Sequence, residues 1–171
     1  MVIVAVAILA AALLLTFGLR RARGAKTTAP LARGPERVLF PYVAGPGAPA
    51  ALDVALRLTR SEAGTLVPVY LARVPLHLSL DAPLPRQSQT VLTLQERIEA
   101  RAASTGVPVD SRVHRGRSVR HALRETIAHE RFDRIVVAAA HRNETGGFDA
   151  DDIAWLLRTA PGEIVVLRGA D

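Results

Sequence analysis

The chain has 171 residues, room for one ordinary domain and an appendage. It has no cysteine, which excludes disulfides, thiolate catalysis and zinc sites built on Cys. The formal charge is +6, but Arg20, Arg21, Arg23 and Lys26 supply four of the 22 basic residues; the other 18 stand against 16 acidic ones, so the remainder is near neutral and nucleic-acid binding gains little support.

The appendage comes first. Residues 2–19 are almost wholly apolar and carry no charge. As a helix they would span about 27 Å, close to the roughly 30 Å hydrocarbon core of a bilayer. The basic cluster follows at once, which is the stop-transfer arrangement. A cleaved signal peptide would place its basic residues ahead of the run and a small-residue cleavage site after it, and here only the amino terminus precedes the run. A buried core helix is the third reading. The order of run and cluster favours an anchor: residues 1–19 as a transmembrane helix, 20–36 as a basic flank and linker, 37–171 as the domain. The positive-inside bias then puts the N-terminus outside and the domain in the cytoplasm, as a single-pass protein of the cell membrane with its basic cluster against anionic headgroups. Residues 27–36 hold Pro30, Gly34 and Pro35 without apolar period and read as the linker.

The domain opens with a strand over residues 37–43, where Pro41 predicts a stop or bulge near Phe40. Residues 50–62 have helical spacing, with Leu52, Ala55, Leu56 and Thr59 on one face and Gly64 as the stop. A second strand spans 66–74. The proline-bearing loop after it carries Leu76, Leu78 and Leu80, which are expected to cover the sheet edge rather than meet a partner. A second helix, 88–104, buries Val91, Leu94, Ile98 and Ala102 and ends at Gly106. Val107, Val109 and Val113 define a third strand, and Pro108, Asp110 and Arg112 suit an edge position. Ser118 is the N-cap of a third helix with Val119, Ala122, Leu123 and Ile127 inward.

Residues 133–140 are a continuous apolar run, as in a parallel strand covered on both faces. A polar stretch from His141 to Phe148 contains Gly146 and Gly147. A helix over 149–160 turns Ile153, Leu156, Leu157 and Ala160 inward, and residues 163–168 form the last strand. Strands alternating with helices imply an α/β fold: a five-stranded parallel sheet with helices on both faces and right-handed crossovers. In such a sheet the crevice beyond a strand's carboxyl end is the usual ligand site.

The five-strand, four-helix order, the length, and the run Trp155-Leu156-Leu157-Arg158-Thr159-Ala160-Pro161 before Ile164-Val165-Val166-Leu167-Arg168 resemble the universal stress protein family. The resemblance covers residues 36–169. It implies a Rossmann-like sheet in the order 3-2-1-4-5 and dimers formed through the last strand, here Ile164, Val165, Val166 and Leu167. ATP-binding members carry an aspartate at the end of the first strand and glycines after the fourth in the form G-x2-G-x9-G-[S/T]. Glycines let backbone N–H groups approach phosphates, and the next helix N-terminus adds partial positive charge. This sequence departs at each position. Val43 or Ala44 stands where the aspartate would be, Ala139 or Ala140 at the first glycine, and Arg142 or Asn143 at the second. Asp151 and Asp152 fall near the Gly-Ser/Thr pair, and Gly146 and Gly147 do not fit the spacing.

Asp149, Asp151 and Asp152 crowd the first turn of the last helix. Acidic residues there cap N–H groups and oppose the macrodipole, at about 0.3–1 kcal/mol each. The same placement takes donors a phosphate would need and adds repulsion; a Mg2+ bridge is the lesser alternative. Weak or absent ATP binding is the expectation, ATP being the one cofactor the resemblance allows. None of His77, His114, His121, His129 and His141 has H-x3-H or H-E-x-x-H spacing. His141 with Arg142 is the best candidate for a small ligand, against a solvated loop. Arg115 and Arg117 near Ser118 are expected as solvated charges, with an anion contact as the alternative. No G-x-S-x-G elbow occurs. The expected function is non-enzymatic: a membrane-tethered, cytoplasmic, regulatory module that binds a protein partner or a second copy of itself. An adenine-nucleotide sensor is the second reading, and a hydrolase or nucleotidyl-transfer enzyme of the related α/β superfamily the third.

Overall fold

The computed structural model describes residues 36–43, 48–140 and 147–168. The apolar segment, the basic flank, Ala44, His141, Arg142, Asn143 and Gly146 lie outside the described residues. Among the described residues no helix is long and apolar enough to cross a membrane.

The elements run β1 (Arg37–Tyr42), α1 (Ala48–Ser61), β2 (Thr65–Arg73), α2 (Pro85–Thr105), β3 (Arg112–Gly116), α3 (Val119–His129), β4 (Arg134–Ala139), α4 (Ala150–Thr159) and β5 (Glu163–Arg168). The sheet is parallel in the order β3-β2-β1-β4-β5, as the resemblance implied. Alternate residues of each strand feed two cores. On one face Phe40, Tyr42, Tyr70 and Val136 meet Ala55 and Leu56 of α1 and Ile98 and Ala102 of α2. On the other, Leu39, Val69, Ile135 and Val137 meet Leu123 of α3 and Leu156 of α4.

Both strand prolines are accommodated by a break on one side only. β1 does not stop at Phe40. It continues through Pro41, paired with Val69 of β2, while its ladder to β4 ends at Leu39. Pro68 pairs with Phe40 and falls between the Leu66–Val109 bridge and the β2–β3 ladder that begins at Val69. A residue without an N–H is tolerated where a ladder is already interrupted. For the same reason β3 starts later than its valines suggest: Val109 contributes a single bridge and the strand proper begins at Arg112.

Two further expectations are corrected. Leu157 is 60% exposed, and Leu156 alone fills the inward position of that turn. Of the three loop leucines, Leu76 is 85% exposed and covers nothing, while Leu78 and Leu80 are half-buried. The loop that carries them is held by its backbone. Arg117 Nη1 donates to the carbonyls of Pro75 (2.6 Å) and Leu78 (2.8 Å), and Arg115 Nη1 to those of Leu80 and Ala82 (both 3.1 Å). These arginines are therefore neither merely solvated nor an anion site; charge-assisted bonds to carbonyls hold the loop against the end of β3. Ser118 caps α3 as expected, accepting from the His121 N–H at 3.1 Å.

Candidate functional site

β1 and β4 are neighbours, so their carboxyl ends, Tyr42–Val43 and Ala138–Ala140, flank one crevice. The crevice is lined by Phe40, Pro41, Tyr42, Val43, Ala138, Gly147 and Phe148 and measures about 10 Å³. That is room for about one water.

The chain leaves β4 at Ala140 and returns at Gly147, and the return is fixed by hydrogen bonds. Phe148 N–H donates to Ala138 O (2.8 Å) and Ala140 N–H to Phe148 O (2.7 Å). Gly147 makes the approach possible. Its φ is +85°, and a Cβ there would stand 2.9 Å from Ala138 O and 3.0 Å from Ala140 N. Only glycine accepts both conditions at no steric cost. The Ala140 amide is thereby spent on Phe148 O. Phe148 itself was expected in a polar loop, yet it is among the largest fully buried side chains.

Past Phe148 the first turn of α4 carries the three carboxylates. Asp149 is the N-cap, and its Oδ1 accepts from the Asp152 N–H at 2.7 Å. Asp151 is exposed. Asp152 is only 9% exposed, and its Oδ1 accepts from Arg120 Nε of α3 at 2.7 Å. This hydrogen bond, with the charges of Asp152, Asp149 and Asp151, raises the Arg120 pKa above its ordinary value. Asp152 thus does not stand free at the helix mouth; repulsion of an anion falls to Asp149 and Asp151. Arg120 was not legible from the sequence, because the pair closes 32 residues apart between two helices.

The structure brings Val43, Ala139, Ala140 and Gly147 to one crevice, and Asp151 and Asp152 to the helix beside it. The described histidines lie elsewhere. His114 Nε2 is 3.2 Å from Glu130 Oε1, and its ring stacks on His129 at 6.4 Å. His121 and His129 each face Glu125, at 3.8 and 3.7 Å. Among the described residues no group of three His or carboxylate side chains is placed to hold a metal ion.

The model of the universal stress protein family matches residues 35–167. The chain belongs to that family. Solved universal stress proteins share the fold. A family member from Burkholderia pseudomallei is 19% identical, with a TM-score of 0.55 over 77% of this chain and 95% of that one. A universal stress protein in complex with cAMP is 14% identical, with a TM-score of 0.62 over 79% and 98%. A universal stress protein from Arabidopsis thaliana with AMP bound is 12% identical, with a TM-score of 0.56 over 80% and 93%. At these identities the likeness is one of fold. No curated protein matches the chain.

Proposed function

We propose that this universal stress protein domain is a non-enzymatic regulatory module whose nucleotide site has lost most of its grip. Its N-terminal segment tethers it to the membrane, with the domain in the cytoplasm, where it works by binding a protein partner. The observation that carries the reading is the first turn of α4. There the Asp149 carboxylate occupies the Asp152 N–H, a donor a phosphate would need, and Asp151 adds negative charge beside it. The Ala140 amide is likewise engaged by Phe148 O, and Val43, Ala139 and Ala140 supply no side-chain polar group. A second copy of the chain is one partner of suitable chemistry. β5 ends the sheet, and its Ile164, Val165 and Leu167 are half-buried while Val166 is exposed.

Calorimetric titration of Gly34–Asp171 with ATP and Mg2+ tests the lost grip. Binding weaker than about 1 mM is expected, and micromolar affinity would overturn the reading. The tether has its own test. The full chain should sediment with membranes after a high-salt wash, and a chain lacking residues 1–19 should not; equal sedimentation of both would remove the tether.

The second reading is an adenine-nucleotide sensor that retains its ligand through a changed loop. It is favoured by the cAMP and AMP held by two structures of the same fold. Micromolar binding of either nucleotide would establish it in place of the first.

A further inference from the structure

The face of the sheet covered by α1 and α2 is not fully closed. A groove of about 320 Å³ runs between the two helices, floored by Phe40, Leu52, Leu94 and Ile98 and bordered by Arg97 and Arg101. A smaller hollow of about 180 Å³ continues along the seam, lined by Arg57 and Arg60. Asp53 lines the seam, and Arg101 occupies it through Nε and Nη2, at 3.2 and 3.1 Å from the same Oδ1. Arg57, Arg60 and Arg97 have no ion-pair partner among the described residues. Arg37, Arg120 and Arg134 by contrast are paired, with Asp110, with Asp152, and with Glu163 and Glu36. Unpaired guanidiniums beside an apolar groove repel one another, so their arrangement suits an anion brought by something else.

We propose that this groove binds a small amphipathic carboxylate. Its aliphatic or aromatic body lies on Phe40, Leu52, Leu94 and Ile98, and its carboxylate meets Arg97 at the rim. The size is at the small end of ligand pockets, which begin near about 300 Å³ and combine apolar walls with one or two placed polar groups. A guanidinium fork matches a carboxylate in two parallel hydrogen bonds, and no described side chain competes for the fork of Arg97. The groove shares Phe40, Tyr42 and Val43 with the β1–β4 crevice, but its walls are α1 and α2 and it includes neither Gly147 nor the α4 turn, so decanoate binding is read separately from nucleotide binding.

Decanoate is the probe, with decanol as its uncharged counterpart, on Gly34–Asp171. This segment is a compact unit holding all five strands and both cores. Calorimetry should give saturable one-site binding of decanoate. NMR methyl shifts should centre on Leu52, Leu94 and Ile98. Arg97→Gln, an exposed change that leaves thermal unfolding as it was, should weaken decanoate about tenfold, the value of one charge-assisted contact. Decanol should bind the unaltered domain about tenfold more weakly than decanoate. Leu52→Gln, which makes the floor polar, should weaken both ligands. Equal binding of decanol and decanoate, indifference to Arg97→Gln, shifts centred elsewhere, or uptake that does not saturate would each overturn the proposal.

Discussion

Phe148→Ala is expected to destabilise the domain by about 4 kcal/mol, measured by urea unfolding of Gly34–Asp171. The side chain is 2% exposed and packs with Leu39, Val137, Leu123 and Leu156 on the α3–α4 face. Truncation removes the transfer energy of a ring and leaves a cavity that rigid strands cannot collapse into. Domains of this size are stable by about 5–15 kcal/mol, so the loss is a large fraction of the whole. A local readout accompanies it. The ring anchors the two bonds that tie residues 147–148 to β4, so the amides of Ala140 and Phe148 should exchange with solvent faster than the rest of β4. Leu157→Ala is the control. That side chain is exposed, and its loss should cost less than about 0.5 kcal/mol. Similar costs for the two substitutions would mean that the ring of Phe148 is not the anchor.

The contrast between Phe148 and Leu157 marks what period alone can and cannot say. Leu156 and Leu157 are adjacent, and on a helix adjacent residues stand about 100° apart. A short helix lying on the flank of the sheet buries a narrow stripe, so only Leu156 goes in. Phe148 has no periodic neighbour, because it sits between a loop and a cap; its burial follows from the bridge to Ala139, which no local signal encodes. Strand and helix identities were legible because apolar runs and i, i+3, i+4 stripes are local. The strand order came from the family resemblance, since hydrophobic pattern does not say which strands are neighbours. The Asp149 cap was readable as an Asp ahead of a helical stripe. Arg120 opposite Asp152, and Arg115 and Arg117 on the loop carbonyls, required the folded chain to bring distant residues together.

Tyr42→Phe should stabilise the domain by about 1 kcal/mol at neutral pH, the direction opposite to most core substitutions. Tyr42 is 4% exposed in the middle of the sheet, stacked on Phe40 at 5.8 Å and edge-on to Tyr70 at 5.5 Å. Its hydroxyl is buried and has no hydrogen-bond partner among the described residues. An unsatisfied buried hydroxyl carries its desolvation cost of about 1–3 kcal/mol, and phenylalanine keeps both ring contacts without it. The same burial, with the Tyr70 and Glu99 charges adding to it, raises the pKa of the phenol well above its ordinary 10.0; burial raises that of Tyr70 as well. The sign of the pH dependence follows. The unfolded phenol ionises from about pH 10 while the folded one stays protonated, so the unfolded state sheds a proton that the native state keeps. Stability from this group is fully present below that pH and is lost above it, by about 1.4 kcal/mol per pH unit up to the folded pKa. Urea unfolding between about pH 8 and about pH 11 should show the unaltered domain losing stability more steeply than Tyr42→Phe, by close to one proton per molecule, with the residual slope carried by Tyr70. Parallel curves, or a variant less stable at neutral pH, would mean that the Tyr42 hydroxyl has a partner in the folded chain and that the ring stack is held partly through it.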